Sequence, residues 1–147
     1  MMKRVLLVLG VVLGVAVLWA MVVDAQPTYV GADKCRMCHR VEHTSWLETR
    51  HAKALESAKA STQWKFDASC LKCHATNNSE TSKGVECESC HGAGSDYQKL
   101  SVMKDRDKAV AAGLVLQSQK VCDTCHDGKD HHKKVTYTVE VHDRKNK

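Results

Sequence analysis

Eight cysteines, and the residues directly behind them, carry the chemistry of this 147-residue chain. They fall into four pairs with none left over: Cys35/Cys38, Cys70/Cys73, Cys87/Cys90 and Cys122/Cys125. Every pair is C-x-x-C, and every pair is followed at once by a histidine: His39, His74, His91 and His126. Only nine residues of the chain are His, so a fourfold coincidence by chance is not credible. Two thiols on one short turn can add to the two vinyl groups of a haem. The adjacent imidazole then swings under the ring and binds the iron, which is why C-x-x-C-H is the c-type haem attachment signature. Zinc or disulfide readings account for the paired cysteines but not for the histidine that follows each pair. The expectation is four covalent haems c, with the eight cysteines as attachment points and His39, His74, His91 and His126 as proximal iron ligands.

Five histidines remain: His43, His51, His131, His132 and His142. His51 shares one predicted helix face with Leu47 and Leu55, an odd place for a histidine in an ordinary domain. It is read as a distal ligand, against the bland alternative of a satisfied, half-buried ring. His43 lies four residues after His39 and cannot easily reach the far side of that haem, so a surface or propionate-bonding role is expected. For His131 and His132, in DGKDHHKK, a solvated face and ligation by one of them are equally open. His142, in VEVHDRKNK, is read as a ligand of the haem on His91, with a free tail as the alternative. Trp46 and Trp64 are read as packing against haem.

The elements that must position these residues are short. Aromatic residues are 5% of the chain, with a single Phe, and much of the apolar content sits in one run, Val5–Val23. Lys3 and Arg4 precede that run and Val23-Asp24-Ala25 follows it, the pattern of a secretory signal cleaved after Ala25. An uncleaved anchor is the rival reading, because such a run can just span a bilayer. The chain divides into a leader, residues 1–25, and a tetrahaem domain, residues 26–147. About 30 residues per haem is too few for a conventional core, so the cofactors are expected to replace it. The fold class expected is mainly α, with few short helices and long loops, a small multihaem cytochrome organised around its haems.

Each C-x-x-C-H is expected to open or sit on a short helix. Residues 26–34 read as a loop. Ser45-x-x-Glu48 reads as a capping box opening a helix over 45–60. Asn77–Gly84 and Gly92–Ser95 read as loops, and Lys99–Leu116 as a helix broken or kinked near Gly113. Val135–Val141 alternates like a strand. Only 17 residues separate the starts of the second and third motifs, which are expected to be close neighbours. The composition disfavours an ordinary cytosolic α/β enzyme, a polytopic membrane protein and a coiled coil. Without Lys3, Arg4 and Asp24, 20 basic and 16 acidic residues remain, a balance of +4. That balance does not imply nucleic acid, because haems bring acidic propionates of their own.

The segments YVGADKCRMCHRVEHTSWLETRHAKALE, GVECESCHGAGSDY and the final CDTCH resemble the cytochrome c-554 type of multihaem cytochrome. The resemblance runs from about Tyr29 to His126. It implies a helical protein with haems packed in stacked and edge-on pairs, shuttling electrons in the periplasm, and it implies that His51 serves the haem on His126. In such cytochromes the second haem is five-coordinate, and a His after the third motif serves the first haem. Residues 92–120 of this chain contain no His, but they contain Met103, in KLSVMKDR. Met103 is therefore read as a thioether ligand for the haem on His39, with simple packing against a haem as the alternative. The haems on His39 and His74 are the candidates for lacking a distal histidine.

Two function classes follow. An iron with two imidazoles is saturated and does electron transfer, which gives an exported, periplasmic carrier of electrons. Its partners would be redox protein donors and acceptors, among them a membrane quinol-linked cytochrome. The alternative is a multihaem oxidoreductase acting on small nitrogen oxides at an open iron. The chain shows no long insertion for a substrate pocket and no nucleophile–base constellation, so no catalytic residue is assigned.

Overall fold

The computed structural model describes residues 26–138. Their helices are α1 (Ala32–Cys35), α2 (Arg40–Leu47), α3 (Ala54–Lys59), α4 (Leu71–His74), α5 (Cys87–His91), α6 (Leu100–Met103), α7 (Arg106–Ala111) and α8 (Gln119–Asp123). Two 3-10 turns, Ala68–Cys70 and Thr76–Asn78, flank α4. Among the described residues there is no strand, and none of the helices is long and apolar enough to cross a membrane. The fold is mainly α, with short helices and long loops. The leader read at residues 1–25, and His142, lie outside the described residues.

Several element boundaries differ from the sequence reading. Residues 32–34, expected in a loop, begin α1. The expected helix over 45–60 is two helices, and Ser45 lies inside α2 instead of capping a new one. The interruption has a local and a tertiary cause. The Thr49 hydroxyl donates to the Trp46 carbonyl at 2.7 Å and accepts from the Ala52 N–H at 3.3 Å, closing the chain into turns. Those turns bring the His51 carbonyl to the Val85 N–H at 2.9 Å, while the Trp46 indole donates to the Val85 carbonyl at 2.9 Å. Gly84 lets the strands of chain approach so closely. A Cβ there would sit 2.6 Å from the His51 carbonyl oxygen, and its φ of +151° suits glycine. The expected helix over 99–116 is also two. Asp105, extended, ends α6 and caps α7 by accepting from the Lys108 N–H, and α7 ends just before Gly113. Residues 135–138 are irregular, and the rest of the expected strand lies outside the described residues.

The buried apolar residues are few: Ala32, Trp46, Leu55, Leu71, Ala75, Tyr97 and Ala109. Leu55, Leu71 and Ala75 form one cluster, with Phe66 packed against it. Two buried acids are also bonded to backbone. Glu88, 2% exposed, accepts from the backbone N–H groups of Val30, Gly31 and Gly94 at 2.7–3.0 Å. Glu86 accepts from Ala32 N–H at 3.0 Å and Lys83 N–H at 2.8 Å. Carboxylates that each receive two or three N–H bonds are strong, directional fasteners. They clamp the chain leading into the first motif onto the helix of the third.

Candidate haem-binding site

All four C-x-x-C-H units form single helical turns. The His39 N–H donates to the Cys35 carbonyl and the His126 N–H to the Cys122 carbonyl, each at 2.9 Å. The second motif occupies a 3-10 turn and α4, and the third is α5 itself. An Asp67 side chain accepting from Ser69 N–H at 2.8 Å starts the second turn, and Gly92 with φ +79° ends α5. Within each unit the first cysteine and the histidine are therefore one turn apart, as joint attachment and ligation require. The eight cysteines form no disulfide.

Three of the four motif histidines are oriented through Nδ1. That atom lies 3.2 Å from the Ala54 carbonyl in His74, 3.3 Å from the Val115 carbonyl in His91 and 2.9 Å from the Lys133 carbonyl in His126. A carbonyl only accepts, so Nδ1 carries the hydrogen and Nε2 the lone pair. This is the tautomer a metal-binding imidazole needs, and the fixed ring is the usual outer support of such a ligand. Gln117 Nε2 also lies 3.2 Å from His91 Nδ1, but it donates to the Cys90 carbonyl at 2.8 Å and the Val115 carbonyl at 3.5 Å. The supports of His74 and His91 come from stretches 20 and 24 residues away, that of His126 from its own following loop, and none has a sequence signal. The paired thiols and the oriented imidazole fit haem c at the second, third and fourth motifs.

The motifs also meet one another. The Cys35 and Cys87 thiols are neighbours: their interaction, together with burial, raises the pKa of Cys35, while the same interaction lowers that of Cys87 against the effect of its burial. Burial and a hydrogen bond to Cys125 push Cys73 up to about 11. The first motif thus adjoins the third, and the second adjoins the fourth. The expected neighbourhood of the middle two is present as well, through a 2.8 Å hydrogen bond between the Thr76 and Ser89 hydroxyls.

The remaining candidates are distributed unevenly. His51 sits in the turns between α2 and α3, not on a helix face, and its ring centre lies 6.1 Å from that of His126. Two imidazoles on opposite sides of one iron have ring centres about 6 Å apart, from two metal–nitrogen bonds of about 2 Å plus the ring radii. His43 is not at the surface: it is 6% exposed, 5.4 Å from the Trp46 ring, and its Nε2 is buried with no hydrogen-bond partner. Asp33 is 3.9 Å from that nitrogen, beyond hydrogen-bond reach. Such an orphaned nitrogen is costly in an ordinary core and natural for a ligand. Met103 is half-buried at the end of α6. Trp46 is buried against the 84–85 segment, whereas Trp64 is exposed, with its ring 4.9 Å from that of His131. Glu86 and Glu88, beside and inside the third motif, were not singled out in the sequence, where nothing local marks an acid that will be buried.

Residues 34–92 match the family described as cytochrome c554 and c-prime. That segment is similar to the cytochrome c-554 family. A curated relative, cytochrome c-554 of Nitrosomonas europaea, is 27% identical over 138 aligned positions, which cover 69% of this chain. The chain spans 59% of the length of that relative. No solved structure matches. The cytochrome c-554 segment includes the first three C-x-x-C-H motifs, His43 and His51. The fourth motif lies beyond it.

Proposed function

We propose that this chain is an exported electron-transfer cytochrome with four covalent haems c, working in the periplasm between redox-protein donors and acceptors. The observation that carries this reading is the repeated unit itself: four C-x-x-C-H turns, three of them with the histidine fixed by a carbonyl at Nδ1. When bound, haem supplies a one-electron iron couple tuned by its axial ligands and surroundings. The chain's own part is to attach, orient and crowd the sites. The eight cysteines hold the rings, and the motif histidines present Nε2. The Cys35–Cys87 and Cys73–Cys125 contacts bring attachment points together, which favours transfer between neighbouring sites. A membrane quinol-linked cytochrome is a suitable donor.

The oxidoreductase alternative finds less support. An open groove of about 510 Å³ is lined by Leu55, Glu56, Lys59, Ala60, Ser82 and Lys83, and by none of the motif residues. The reading is tested by intact mass and by haem staining of the denatured protein. The expected mass is the polypeptide from Gln26 plus four haems. A colourless protein, a zinc-loaded one or a mass with fewer haems refutes it.

A further inference from the structure

We propose that His131 is the distal axial ligand of the haem attached at Cys70 and Cys73, opposite His74. The inference rests on the haem reading above and goes beyond it. The cytochrome c-554 segment ends well before His131, and His74 was a candidate for lacking a distal histidine.

The geometry has three parts. The ring centres of His74 and His131 are 6.2 Å apart, matching within 0.1 Å the 6.1 Å between His126 and His51. Both spacings equal the roughly 6 Å expected of two imidazoles sharing one iron. His74 donates from Nδ1 to the Ala54 carbonyl, which leaves Nε2 as its ligating atom.

His131 is also held by a folded loop. The loop leaves the fourth motif at Asp127 and bends at Gly128 (φ +79°) and Asp130 (φ +47°). The His132 N–H donates to the Lys129 carbonyl at 2.7 Å, and the Lys133 carbonyl receives the His126 ring at 2.9 Å. His132 Nδ1 is engaged by Asp127 Oδ1 at 3.0 Å. Of the adjacent pair, His132 is thus tied to its own loop and His131 is turned toward His74, backed by the Trp64 ring at 4.9 Å. The Cys125 thiol, 3.9 Å from the Lys72 carbonyl, docks the fourth motif on the second and sets the loop at that distance.

The test uses the full haem-loaded chain and counts low-spin and high-spin irons by low-temperature electron paramagnetic resonance. Replacing His131→Gly is expected to move about a quarter of the iron, one site in four, from low-spin to high-spin. The mass should still show four haems, and added imidazole should restore the low-spin signal. Replacing His132→Ala is expected to leave the spin count unchanged. An unchanged spectrum in His131→Gly overturns the proposal, as does a His132→Ala variant that alone turns high-spin. A parent protein lacking the haem at Cys70 and Cys73 overturns this proposal together with the haem reading, and the mass distinguishes that failure from the first.

Discussion

Glu88 offers a test of how this fold holds together. Its carboxylate, almost fully buried, receives three backbone donors: Val30 N–H at 2.9 and 3.0 Å, Gly31 N–H at 2.7 Å and Gly94 N–H at 2.7 Å. Glu88→Ala removes every acceptor at once. An orphaned buried donor costs about 1–3 kcal/mol. Gly94 is buried and bears the full penalty, whereas Val30 and Gly31 are half-buried and recover part of it from water. The expected loss is about 3–5 kcal/mol, comparable with breaking a buried charged network. For a domain of this size that lowers Tm by about 10–20 °C. Glu88→Gln keeps one acceptor oxygen and is expected to lose about half as much. Denaturant unfolding followed by far-ultraviolet circular dichroism measures both. Haem stoichiometry should stay unchanged, because Cys87 and Cys90 are untouched. A loss below about 0.5 kcal/mol for Glu88→Ala, the range of ordinary surface changes, would refute the clamp.

Two further predictions concern ligation. His51→Ala should turn one low-spin haem high-spin with all four attachments intact; a spectrum like that of the parent returns His51 to a satisfied side chain. If Met103 serves the haem on His39, the protein should show a near-infrared sulfur-to-iron charge-transfer band and one haem of distinctly higher potential. Met103→Ala should abolish the band, and a band that survives the substitution removes Met103 from the ligand set.

The motif chemistry was legible in the sequence because it is local. Attachment needs two thiols and an imidazole within one turn, and Cys35-x-x-Cys38-His39 and its three counterparts specify that whatever surrounds them. The same holds for the short-helix, long-loop class, since a chain with seven buried apolar residues among those described cannot sustain long amphipathic helices. What the sequence could not show depends on residues far apart in the chain. The helix expected over 45–60 yields to turns because the His51 carbonyl and Trp46 indole find Val85. His43 was expected at the surface or bonded to a propionate; the surface half of that reading fails, because α2 buries it beside Trp46. Glu86 and Glu88, which no sequence pattern singles out, turn inward to accept from loop N–H groups. The resemblance already implied that His51 faces His126, but which of His131 and His132 faces a motif histidine was decided only by tertiary structure. The approach of the His131 ring to His74 accompanies the docking of the fourth motif on the second, and no spacing along the chain encodes that docking.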